Sequence, residues 1–212
     1  MDKSKLERRS YSFEVRAEAK ENGISTLSGR PIVYNSPTDI GGYFKEVIDA
    51  GALMGANLKD VPLLVNHNDR MIPIARSRNN TPNSTMRLMV VDEGLDFEAD
   101  IDTENNQTAR ELNSAVSRGD IDGMSFAFTV DDEEWQDLET DYPTRRIKKF
   151  GTIAEISAVT WPAYSATSIY ARSKEALDNA RSALESARQQ TAKPLDSGNN
   201  ELELLRLKIK LL

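Results

Sequence analysis

His67, in the stretch LLVNHNDRM, is the single histidine among 212 residues, and the chain has no cysteine. Without a thiolate, a covalent mechanism falls to Ser, Thr, Lys or a carboxylate. A serine nucleophile needs a base, and His67 is the one imidazole that could serve. A site built on two histidines is therefore excluded, and any third member would be a carboxylate. The same counts exclude a zinc site of His and Cys ligands. Neither G-x-x-x-x-G-K-[ST] nor G-x-G-x-x-G occurs, so no phosphate-cradling loop is signalled. Carboxylates are abundant, yet no spacing among them marks a Mg²⁺ or Ca²⁺ site. We expect neither metal nor cofactor.

Two segments offer partners for the histidine. In GMSFAFTV, alternation puts Met124, Phe126, Phe128 and Val130 on one strand face and Ser125, Ala127 and Thr129 on the other. Ser125 is thus expected to point away from the aromatic row, beside the small Ala127, with room for a substrate carbonyl. Gly123 before it permits close approach of a ligand. The competing reading is a solvent-facing strand serine. In TIAEISAVTWP, Glu155 shares a face with Ser157 and Val159 and is flanked by Ala154 and Ile156. A carboxylate in so apolar a run is costly without a partner. An imidazolium would suit it, but so would Arg145 or Arg146. His67 itself ends the apolar run VPLLV where a strand meets a loop, a common position for functional residues and for structural ones alike.

The elements that must position these residues are mostly strands. YSFEVRAEA and GLDFEADI alternate with period two, as half-buried antiparallel strands do. RPIVYN, VPLLVNH, MRLMVVD, GMSFAFTV, RRIKKFG and TIAEISAVT are further strands, separated by turn chemistry in NSPTDIGG, RNNTPNST and DEG. One helix covers ENNQTARELNSAVSR, capped by Asp102 or Thr103, with Ala109, Leu112 and Val116 on one face and Gly119 at C′. A weaker helix is predicted over FKEVIDAGAL, near 44–53. Short, evenly spaced strands with few helices predict a mainly β (α+β) fold, a closed or nearly closed antiparallel barrel with surrounding helices.

The composition changes near residue 172. SKEALDNARSALESARQQTAK places Leu177, Ala180, Leu184 and Ala187 on one helical face, with Lys174–Asp178 and Arg181–Glu185 as i,i+4 pairs. ELELLRLKIKLL reads equally as an amphipathic strand or a helix. We therefore expect a domain over 1–171 and a helical, amphipathic tail over 172–212 that docks on a partner or on the domain. The net charge of -7 argues against nucleic acid as a partner. No apolar run approaches the roughly 18 residues of a membrane span, and MDKSKLERRSYSF lacks the apolar core of a secretory signal, so neither membrane nor export is expected.

The order of these pieces resembles the prohead (capsid-maturation) proteases of tailed bacteriophages, serine proteases related in fold to the herpesvirus assemblin protease. The resemblance runs through the opening strand and GRPIVYN, GYFKEVIDAGAL, LLVNHN, EGLDFEADI, SRGDIDGMSFAF and EISAVTWPAYSAT, over roughly residues 11–170. It implies Ser125 as nucleophile and His67 as general base. Herpesvirus relatives use a second histidine as third member; here an acidic residue must replace it, Glu155 in the matching strand or one of Asp120 and Asp122 near Ser125. The resemblance implies an endopeptidase that cleaves scaffold and major capsid protein, and itself, inside the assembling procapsid in the host cytoplasm. It leaves a homodimer open, and the tail would bind scaffold or be cleaved off. The rival reading is a non-catalytic virion or scaffold assembly module with a β-barrel core.

Overall fold

In a computed structural model of the chain, residues 6–11, 15–160 and 174–192 are described. Eleven strands and two helices follow in the order β1 (Glu7–Tyr11), β2 (Val15–Ala19), β3 (Ile24–Val33), β4 (Thr38–Ile40), β5 (Phe44–Ile48), β6 (Val61–Val65), β7 (Ala75–Ser77), β8 (Met86–Val91), β9 (Gly94–Asp102), α1 (Gln107–Ser117), β10 (Gly123–Gln136), β11 (Thr144–Val159) and α2 (Lys174–Ala192). Among the described residues the fold is mainly β with two helices, as the alternation predicts. The described strands form two sheets and do not close into one barrel. One sheet has seven strands, ordered β1-β10-β11-β5-β4, with β6 on β11 and β7 on β6; the other has four, ordered β2-β3-β9-β8.

The alternating strands bury the faces their sequences mark. Leu95, Phe97, Ala99 and Ile101 of β9 are buried, as are Met124, Phe126 and Phe128 of β10. Phe126, Phe128 and Phe150 form an aromatic cluster, with Phe128 and Phe150 edge-to-face at 5.1 Å between centroids. Of the segment YSFEVRAEA, Val15–Ala19 forms β2, which pairs with β3 in the second sheet, while Tyr11 ends β1, which pairs with β10 in the first.

The helix expected near 44–53 is instead strand β5 followed by turns. Phe44, Val47 and Ile48 are buried there, and the backbone is held by β4 on one side and by β11 on the other. Two-sided pairing in a sheet outweighs a short helical periodicity. Helix α1 starts later than expected: Asn106, not Asp102 or Thr103, is the N-cap, its side chain accepting from Ala109 N–H. Asp102 turns the preceding loop by accepting from the N–H groups of Glu104 and Asn105. Gly119 does occupy the left-handed C′ position, at φ 76°.

Helix α2 lies on the seven-stranded sheet. Ala180 and Leu184 are buried in a second apolar cluster with Ile40 and Phe44, against which Tyr43, Trp135 and Leu138 pack. Arg188 ties it further by donating to the carbonyls of Leu138 and Thr140. The Arg181–Glu185 pair forms at 2.9 Å. The terminal ELELLRLKIKLL lies outside the described residues.

Candidate active site

β11 is the strand on which the site is assembled. Its first part pairs with β5, its last part pairs in parallel with β6, and β10 runs antiparallel along its other edge. The β6 pairing (Ser157 opposite Leu64, Ala158 opposite Val65) carries the chain to the histidine turn just past Val65.

There the backbone does something unusual. Asn66 and His67 are both left-handed, at φ 50° and 57°. Left-handed backbone is uncommon outside glycine even for Asn and His, which tolerate it best, so two such residues in succession must be held by their surroundings. Asn66 N–H donates to the Ala158 carbonyl at 2.9 Å, and its side-chain carbonyl accepts from Thr160 N–H at 3.0 Å. His67 N–H donates to Ser157 Oγ at 3.2 Å. These bonds fold the histidine back over β11.

His67 Nδ1 then lies 2.6 Å from Glu155 Oε1. A carboxylate can only accept, so Nδ1 is the donor of this bond, and in the neutral ring the lone pair then lies on Nε2. The other carboxylate oxygen, Oε2, accepts from Ser157 Oγ at 2.5 Å. Both of Glu155's oxygens are thus engaged, and the residue is buried. The arginines weighed as its partners are committed elsewhere: Arg145 to Glu7, Glu46 and Glu133, and Arg146 to Asp49. Asp120 pairs with Arg118 in the exposed turn after α1, and Asp122 is exposed; neither joins the histidine.

Ser125 sits in the adjacent strand, directly opposite Ser157 on one side and Ser10 on the other. Three serines therefore stand in one row across β1, β10 and β11, next to the Ala127–Glu155 pair. Ser125 does point away from Phe126 and Phe128, as its place in the alternation requires. The open approach expected for it is absent: Ser125 is 0% exposed. Its Oγ donates to the Arg9 carbonyl at 2.7 Å and accepts from Ser10 Oγ at 2.9 Å. The reason is β1, which pairs along β10 and brings Arg9 and Ser10 beside it. In this arrangement the Ser125 proton is held by a backbone carbonyl and not by the imidazole.

A buried ionic cluster fixes β1 in that place. Arg9 bonds both oxygens of Glu46, at 2.6 and 2.8 Å, and Arg145 bonds Glu7, Glu46 and Glu133. Burial raises the Glu7 carboxyl, but the hydrogen bond from Arg145 and the charges of Arg9 and Arg145 outweigh it and bring it down to about 2. Burial opposes the charge of both guanidiniums, and the carboxylates more than offset it, so both are held above their ordinary values.

Sequence reasoning did not find Ser157, Ser10, Asn66 or Thr160 as parts of this site. Ser157 shares a strand face with Glu155 two residues away, a signal that was present. The contributions of Ser10 and Thr160 depend on strand pairing and carry no local signal.

A buried carboxylate hydrogen-bonded to the Nδ1 of an imidazole, here Glu155 on β11 and His67 in the turn after β6, is the pairing that orients the base in serine hydrolases. The family profile of the caudovirus prohead serine proteases matches residues 11–181, and the chain belongs to that family. Nothing among curated proteins or solved structures matches it.

Proposed function

We propose that the chain is a serine endopeptidase of procapsid maturation, with Ser125 as nucleophile, His67 as general base and Glu155 as the residue that orients the base. Its substrates would be segments of scaffold and major capsid protein, and of the chain itself, cut inside the assembling procapsid. The observation that carries this reading is the 2.6 Å His67–Glu155 hydrogen bond in a member of a serine protease family. A carboxylate at Nδ1 favours the tautomer that a base needs, with the lone pair on Nε2.

The steps follow from these groups. The Ser125 hydroxyl exchanges its bond to the Arg9 carbonyl for one to Nε2. Oγ attacks the scissile carbonyl carbon as its proton passes to Nε2, giving a tetrahedral intermediate with an imidazolium that Glu155 stabilises. Nε2–H then protonates the leaving amine, the C–N bond breaks, and an acyl ester on Ser125 remains. Water attacks this ester with His67 again as base, releasing the acid and restoring the serine.

The burial of Ser125 favours a second reading, in which the chain is an assembly module without catalysis. Labelling with a fluorophosphonate, followed by peptide mass spectrometry, separates the two. Modification of Ser125 that is lost in His67→Ala supports the protease; a wild-type chain that is never modified supports the module.

A further inference from the structure

We propose that Ser157 is a positioning residue of this site, the group that locks the base and its carboxylate into one geometry. The inference rests on the protease reading and adds a component to it. Ser157 Oγ bonds both residues of the pair, the Glu155 carboxylate and the His67 backbone. It donates its proton to Glu155 Oε2 at 2.5 Å and accepts the His67 backbone N–H at 3.2 Å.

The chemistry of a hydroxyl suits this place. It is one donor and two acceptor lone pairs, so it can satisfy an acceptor-only carboxylate and a backbone donor at once. Alanine can do neither, and threonine can do both. Glu155 without this bond would keep one buried oxygen unsatisfied, which favours rotation of the carboxylate away from Nδ1. His67 without it would lose a tether on a left-handed backbone that is uphill on its own. Ser157 is 0% exposed and its hydroxyl proton is already hydrogen-bonded to Glu155, so it stands behind the pair and is not itself placed to attack a substrate.

Because His67 is the sole histidine, imidazole NMR of the full chain reports on this ring alone. Wild type should show a single downfield Nδ1–H resonance. In Ser157→Ala that resonance should be lost or broadened, and fluorophosphonate labelling of Ser125 should slow by about tenfold, the equivalent of one charge-assisted hydrogen bond. Ser157→Thr should restore both. The melting temperature of each variant separates lost positioning from lost fold. The inference is overturned if Ser157→Ala keeps both the resonance and the labelling rate, if a folded Ser157→Thr recovers neither, or if the probe is found on Ser157. Failure of the protease reading is distinct: wild type would then escape labelling, while the resonance would still report whether Ser157 holds the ring.

Discussion

Replacing Arg145 by methionine should destabilise the chain by about 3–5 kcal/mol at neutral pH, the cost of breaking a buried ion network by removing one partner. Arg145 is 2% exposed and its guanidinium serves three carboxylates: Glu7, which is 13% exposed, Glu46, which is fully buried, and Glu133. Methionine fills much of the volume but leaves Glu7 and Glu46 to Arg9 alone. The size of the effect follows separately from Glu7. A carboxyl that ionises near 2 when folded, against 4.5 ordinarily, contributes about 3 kcal/mol at neutral pH. Since its folded value is depressed, that contribution is complete above pH 4.5 and is lost as pH falls from 4.5 through about 2. In the variant, burial raises the Glu7 carboxyl with Arg9 alone to oppose it, so a large part of the contribution is lost. The gap between wild type and variant should therefore be widest at pH 7 and narrow below pH 4.5. Urea titrations at pH 7, 5 and 3, followed by tryptophan fluorescence, measure it, since the Trp135 ring centroid lies 5.8 Å from the Arg145 guanidinium. A variant within about 1 kcal/mol of wild type at pH 7, or a gap that does not change between pH 7 and pH 3, would mean that Arg145 does not hold these carboxylates ionised.

Three further substitutions probe the site and the helix that covers the sheet. Glu155→Gln should leave the fold intact but lower fluorophosphonate labelling of Ser125 by at least about tenfold, because an amide can donate to Nδ1 and so favour the wrong tautomer; unchanged labelling would remove Glu155 from the mechanism. Asn66→Val should slow labelling in a chain that still folds. It puts a β-branched residue at φ 50° and deletes the bonds to Thr160, so a labelling rate equal to wild type would count against the clamp. Leu184→Asp should detach α2 from Ile40 and Phe44, read as new proteolytic cleavage within 174–192 under native conditions; resistance equal to wild type would contradict the packing.

What was legible in the sequence was local. The period-two pattern of Leu95, Phe97, Ala99 and Ile101 needs no knowledge of the partner strand to indicate a buried face, and the same holds for Ala109, Leu112 and Val116 on α1. His67 stands out as the one imidazole, whereas Ser125 and Glu155 are proposed beside it from their places in segments that resemble the family's. What was hidden depends on pairing across the chain. FKEVI reads as part of a helix until β4 and β11 flank it. Ser125 reads as open until β1, more than a hundred residues earlier, closes over it through Arg9 and Ser10. The ion network joins Glu7, Arg9, Glu46, Glu133 and Arg145, whose charges look like ordinary surface residues in sequence. The left-handed turn at Asn66 and His67 carries a faint signal in its asparagine, but the bonds that hold it come from Ala158, Ser157 and Thr160.

The proposed reaction has Ser125, activated by His67, cutting peptide bonds in capsid and scaffold protein. Co-expression of the full chain with the adjacent capsid protein, followed by intact-mass analysis, tests it most directly. Wild type should yield a capsid protein shortened at one defined bond, while Ser125→Ala and His67→Ala should each yield it uncut. Equal processing by wild type and Ser125→Ala would contradict the claim, as would an uncut capsid protein in the presence of folded wild type.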